Sequence, residues 1–190
     1  MKFVLGSLLF LCHANLTIAD ILPTTTVIPA VVTVGELAVG QVPSEIQLSG
    51  KTGGLVEGNG PWSSTSMRGK VSVLFYVAPA HKDLNQHVST ALKEANFAEE
   101  KFQSYAVVNM AASSWPNFMI ESKLTASQKE FPRTKYVKDK EKVLVSQWKL
   151  QDDSNNVVAF DKNGVTLFLV KGKVEPEQVG QLLELVRSHL

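Results

Sequence analysis

The residues best placed for chemistry stand together in Phe75-Tyr76-Val77-Ala78-Pro79-Ala80-His81-Lys82-Asp83. The run leaves an apolar strand and delivers an imidazole, an ammonium and a carboxylate in succession. His81 and Asp83 could serve as base and acid, since an imidazole titrates near neutral pH and burial can tune a carboxylate toward it. Asp83 also has a structural explanation. With Gln86 three residues on, it matches a capping box, in which two side chains serve backbone donors at a helix start. Thiol chemistry lacks its atoms. The single cysteine is Cys12, inside an N-terminal apolar segment, so the rest of the chain has no thiolate nucleophile, disulfide or Cys-ligated metal.

Other candidate ligands do not converge. Beyond residue 19 the histidines are His81, His87 and His189. His81 and His87 are six positions apart and do not share a helix face at 3.6 residues per turn, so no common metal site is expected. Met67, Met110 and Met119 are scattered, and methionine commonly fills core gaps. Asp161-Lys162-Asn163-Gly164 starts like a calcium loop but lacks its later ligands and bidentate Glu; Asn-Gly makes it a hairpin turn. Ser63, Ser64 and Ser66 read as a turn. Phosphate loops, metalloprotease helices and nucleophile elbows have no match. The expectation is no cofactor and no metal. Trp62 and Trp148 are expected at the core edge. Trp115-Pro116 falls in a long loop after a strand, where open α/β sheets bind ligands, so Trp115 is a candidate contact.

Residues 1–19 read as a secretory signal peptide. Lys2 is followed by the apolar run Phe3–Leu11, too short to span a bilayer as a mature helix, and Thr17-Ile18-Ala19 offers small residues at a cleavage site. Cleavage after Ala19 is expected to yield a periplasmic protein without a transmembrane anchor and without cysteine. It removes one lysine and no acid, so basic and acidic residues balance, from 19 against 18 in the full chain. That balance gives no electrostatic reason to expect nucleic acid as a partner. With 190 residues, 44% of them hydrophobic, the chain can hold one domain on its core alone.

The elements that must position residues 79–83 follow from pattern. Residues 20–35, rich in Thr, Val and Pro, form a lead-in; residues 36–190 form the domain. Glu45–Leu48 alternates as a half-buried strand does. Five glycines between Gly50 and Gly60 mark turns around a short strand near Leu55-Val56. Val71–Val77 is nearly all apolar and β-rich, as suits a strand buried on both faces. An amphipathic helix is predicted over 83–95, with Leu84, Val88, Ala91, Leu92 and Ala95 on its buried stripe. Tyr105–Met110 is a second buried strand, and 117–128 a helix after Pro116 that closes at Phe131-Pro132. Lys135–Val137 and Val143–Leu150 are predicted strands around the charged turn Asp139–Lys142. Val157–Phe160 and Val165–Val170 form a hairpin, and a last helix starts at Glu175-Pro176. Alternating units with a terminal hairpin describe an α/β domain with a mixed sheet flanked by helices.

This order resembles the thioredoxin-like superfamily in its peroxiredoxin and exported-reductase form. The resemblance rests on Val39-Gly40-x-x-Pro43, on Arg68-Gly69-Lys70-Val71 leading into Phe75-Tyr76, on Phe131-Pro132 and on the hairpin strands. More closely, GKVSVLFYVA (69–78), FPRTKYVKD (131–139), SQWKLQDDSNNVVAFDKNG (146–164) and the closing helix resemble the YtfJ family of exported bacterial proteins, over about residues 36–190. The resemblance implies that Ala80 and Asp83 hold the places of the paired redox cysteines. It also implies that Asn155 stands where a working redox site carries a cis-proline. A cis bond before a non-proline residue costs about 3 kcal/mol, so an ordinary trans loop is expected at Ser154-Asn155-Asn156.

Both halves of the redox constellation are therefore absent. The first functional expectation is a redox-inactive, non-enzymatic binding or accessory protein. Its partner would be a periplasmic protein or peptide, and its candidate face comprises Pro79, Ala80, His81, Lys82, Asp83, Ser154, Asn155 and Asn156. The alternatives are a cysteine-free enzyme using His81 and Asp83, and an envelope assembly component docking through the lead-in.

Overall fold

The computed structural model describes residues 34, 35 and 37–190; the expected signal peptide and nearly all of the lead-in lie outside the described residues. The strands are β1 (Val34–Gly35), β2 (Val42–Pro43), β3 (Gln47–Leu48), β4 (Gly53–Leu55), β5 (Trp62–Ser63), β6 (Val71–Val77), β7 (Phe102–Asn109), β8 (Thr134–Asp139), β9 (Asn155–Phe160) and β10 (Thr166–Val170). The helices are α1 (Gln86–Ala95), α2 (Asn117–Glu130), α3 (Val143–Trp148) and α4 (Pro176–His189).

Six strands form one mixed sheet in the order β10-β9-β6-β7-β8-β4. β6, β7 and β8 run parallel, while β4, β9 and β10 join antiparallel to their neighbours. The run Val71–Val77, apolar but for Ser72, lies at the centre and every residue of it is buried, as its lack of alternation requires. Val71, Val73, Phe75 and Val77 meet Val88 and Leu92 of α1 and Leu182 and Val186 of α4 on one face. Leu74 and Tyr76 turn to the other, with Ile46, Leu48, Trp62, Leu144, Trp148 and Phe160. A smaller cluster of Val108, Met110, Ile120 and Leu124 seats α2. The expected mixed sheet flanked by helices is the observed architecture.

β4 explains part of the glycine run. Gly53 and Gly54 both have φ of +132°, and a Cβ there would stand 1.8 Å from Lys138 O and 2.4 Å from Gly60 O. Only glycine lets this edge strand lie against β8. The Asp161–Gly164 hairpin is also as expected, with Gly164 at φ +88° and Asp161 Oδ1 accepting from the Asn163 and Val165 amides.

Three expectations need correction. Val143–Leu150 is not a strand: residues 143–148 form α3. The carboxylate of Asp139 accepts from the Val143 and Leu144 amides, so side-chain capping overrides the β-rich composition. α1 begins at Gln86 rather than 83, and Asp83 does not cap it. The Asp83 carboxylate instead pairs with Lys82 Nζ at 2.7 Å, and residues 79–81 form a separate 3-10 turn. Trp62 and Trp148 are not at the core edge but buried within the core, the Trp148 ring 5.8 Å from that of Phe160 and its Nε1 donating to Ser44 O at 2.8 Å.

Candidate functional site

The C-terminal ends of β6, β7 and β8 and the start of β9 meet at one end of the sheet. There the apolar pattern breaks: Asn85, Asn109, Asp139, Ser154, Asn155 and Asn156 are all buried. A buried polar group costs free energy unless it is hydrogen-bonded, and these are arranged in two networks.

The first network underlies residues 79–83. Asn85, 1% exposed, donates through Nδ2 to Asn155 O and to Gly172 O, each at 2.9 Å. Its Oδ1 accepts from the Val174 amide at 2.9 Å. Asn155 Nδ2 in turn donates to His81 O at 3.2 Å. The Ala78 amide donates to Ser154 O at 2.7 Å. The turn after β6, the start of β9 and the loop before α4 are thus tied together by two asparagines. Among the described residues every peptide bond is trans, including the one before Asn155, as expected.

The second network lies beside it. Asp139 is fully buried and accepts from Tyr76 Oη at 3.0 Å, from the Val143 amide at 2.9 Å and from the Leu144 amide at 3.0 Å. Asn109 Nδ2 donates to Asp152 Oδ1 at 2.7 Å, and Lys142 Nζ to Asp152 Oδ2 at 2.6 Å. The Lys142 contact first, then the Asn109 and backbone bonds, hold the Asp152 carboxyl below its ordinary range against a smaller opposing effect of burial. Burial, and then the charge of Asp139, push the Tyr76 hydroxyl far up, so it stays protonated and donates. Asn156 donates to Gln151 O and accepts from the Gln151 amide, both at 2.9 Å.

The candidate face divides accordingly. Ala80, Lys82 and Asp83 are exposed, Pro79 and His81 are half-buried, and Ser154, Asn155 and Asn156 are buried beneath them. The first five residues form a surface; the last three hold it in place. His81 Nε2 lies 3.6 Å from Asp153 Oδ1, while Asp83 engages Lys82, so the two candidate catalytic groups have different partners. His87 is committed to Val174 O at 2.9 Å. Trp115 is 50% exposed on the loop leaving β7, with Lys123 Nζ 5.4 Å from its ring centroid. Phe118 and Met119 are exposed on the following turn.

Sequence reasoning missed Asn85 and Asp139. Asn85 carried a signal: it shares the stripe of Val88 and Leu92 at i, i+3 and i+7, and a polar residue on a buried stripe needs partners. Asp139 gave none, because it sits in a run of charges that reads as a solvated turn.

Among solved structures the chain resembles a thiol-disulfide isomerase from Corynebacterium glutamicum, at 19% identity and a TM-score of 0.57 over 77% of this chain and 97% of that one. It also resembles a putative thiol:disulfide interchange protein DsbE from Chlorobium tepidum, at 18% identity and a TM-score of 0.58 over 81% and 99%. These likenesses establish a thioredoxin-like fold. In sequence it is 29% identical to the uncharacterized protein YtfJ of Escherichia coli (strain K12), over 68% of this chain and 72% of that protein. An uncharacterized protein of Haemophilus influenzae is 26% identical, over 67% and 71%. Residues 44–189 match the family described as "Bacterial protein of unknown function (YtfJ_HI0045)", and the chain belongs to that family.

Proposed function

We propose that this chain is a redox-inactive binding or accessory protein of the bacterial periplasm. Its contact face is Pro79, Ala80, His81, Lys82 and Asp83, framed by Ser154, Asn155 and Asn156. One observation carries the reading: the turn after β6 is held by the Asn85–Asn155–His81 hydrogen bonds, and the family resemblance puts Ala80 and Asp83 of this turn at the two thiol places of a thioredoxin-type site. Disulfide exchange needs a low-pKa thiolate and a second thiol to resolve the mixed disulfide; neither is supplied. A rigid turn kept without its nucleophile is suited to holding a partner chain. The periplasmic assignment rests on the signal-peptide pattern of residues 2–19.

The cysteine-free enzyme has less behind it, because His81 and Asp83 engage different partners. The test is site-specific crosslinking in cells from a photoreactive residue at position 81, with position 184 on α4 as control. A discrete adduct from 81 that is absent from 184, and that Asn85→Ala diminishes while the protein stays folded, supports the face. Equal adducts from both positions, or none from 81, defeat it. Insulin reduction by dithiothreitol in the presence of the purified mature protein is the companion assay, and acceleration above a buffer control contradicts redox inactivity.

A further inference from the structure

The opposite end of the sheet holds a cleft of about 160 Å³ lined by Ser66, Met67, Arg68, Lys70, Gln103, Tyr105 and Lys135. Three cations line it, Arg68 and Lys70 from the turn before β6 and Lys135 from β8, and its lining contains no carboxylate. The whole chain carries a formal charge of only +1, so three cations in one lining are a local excess. Glu45 offsets part of the Arg68 charge; the like charges that remain in the lining repel, and an anion relieves that repulsion.

The geometry is built by the strand register. Tyr105 of β7 pairs with Lys135 of β8, and Gln103 is its neighbour on the same face. The 3-10 turn Ser64–Met67 closes the cleft from above, bringing Arg68. Lys70 is fixed by a hydrogen bond from Nζ to Glu99 O at 2.6 Å, which leaves two of its three protons for another acceptor. Gln103 Nε2 is committed to Arg133 O and Ser104 O, and Ser66 Oγ to Ser63 O. Tyr105 is 4% exposed yet lines the cleft. Burial pushes its hydroxyl up, with a smaller opposing effect from Ser66, so it remains a neutral donor. Arginine, two lysines and a phenol match the recognition of a multiply charged oxyanion. A cavity needs about 10–15 Å³ on this measure to take one water, so the space suits a group of several heavy atoms.

We propose that this cleft binds a phosphate-class dianion, either free phosphate or the terminal phosphomonoester of a larger molecule. The site lies at the end of the sheet away from residues 79–83 and does not depend on the function proposed for them.

The test is amide NMR of the full mature protein titrated with inorganic phosphate at constant ionic strength, with chloride as the reference. Saturable shifts at residues 66–70, 103, 105 and 135, absent with chloride, are expected. Arg68→Glu with Lys135→Glu is expected to weaken phosphate at least tenfold with an unchanged fold. Tyr105→Phe is expected to weaken it several-fold without altering the charge. Linear, non-saturating shifts, or shifts equal for phosphate and chloride, or full affinity in Tyr105→Phe, would show a diffuse ion atmosphere and overturn the proposal. Glycerol 3-phosphate and phosphatidic acid vesicles distinguish the sources. Preference for either over phosphate, lost in the double variant, identifies a phosphomonoester; preference for inorganic phosphate identifies the free ion. Vesicle binding that survives the double variant places the attraction elsewhere and also overturns the proposal.

Discussion

The Tyr76 hydroxyl donates to Asp139 Oδ2 at 3.0 Å, joining the central strand β6 to the last residue of β8 across the intervening β7. The same carboxylate receives the first amides of α3, so one buried side chain sets the end of a strand and the start of a helix. Asp139→Ala strands the phenol and those amides. We expect it to cost about 3 kcal/mol or more in urea denaturation, at about 1–3 kcal/mol per orphaned buried group. Tyr76→Phe leaves the carboxylate its backbone donors and should cost only about 1 kcal/mol. A double-mutant cycle with no coupling would show that the pair contributes nothing beyond its separate parts.

Asn85 carries the frame of the candidate face. Replacing it by Ala leaves Asn155 O, Gly172 O and the Val174 amide without their partner, and should destabilise by about 2–4 kcal/mol. Asn85→Asp is nearly isosteric but sets a carboxylate oxygen against two carbonyl oxygens. It should be at least as damaging as the alanine despite retaining the volume. A tolerated Asn85→Asp would mean that packing, not hydrogen bonding, holds the turn.

Much of the architecture was legible because the sheet announces itself. Val71–Val77 is apolar at every position but Ser72, and a strand covered on both faces tolerates that. The Asn163-Gly164 turn and the Glu175-Pro176 helix start are local chemistry, the latter realised as a capping box between Glu175 and Gln178. The errors arose where a specific side-chain contact or turn overrode the preference of the residues themselves. Val143–Trp148 has strand composition but receives its cap from Asp139. Asp83 has cap spacing, but the chain inserts a 3-10 turn before the helix and leaves its carboxylate to Lys82. The site was half visible. Residues 79–83 could be found from their position after β6. Burial of Ser154–Asn156 and the role of Asn85 depend on partners 70 to 89 positions away, which no local window contains.

Because Asp83 is exposed and paired only with its neighbour, its removal should be nearly neutral. Asp83→Ala is expected to shift stability by no more than about 0.5 kcal/mol, as exposed substitutions usually do, whereas loss of a helix cap costs about 1 kcal/mol. A melting shift matching a lost cap would show that the carboxylate reaches the α1 amides in solution.

The Asp152 contacts predict a pH dependence with a definite sign. Its folded pKa lies below its unfolded value, chiefly through the Lys142 contact and against some opposing burial. A group with a depressed folded pKa contributes stability above its unfolded value, near 3.9, and loses that contribution as pH falls through the folded one. Comparing wild type with Asp152→Asn isolates it. Wild type should be the more stable at pH 7, and the difference should shrink as pH drops below about 4. The gap should be small, since the Asp152 and Lys142 side chains are 40% and 37% exposed and solvent screens such pairs. A difference that instead widens on acidification would mean that Asp152 is held in its protonated form, and that the Lys142 and Asn109 bonds drawn to it do not form in solution.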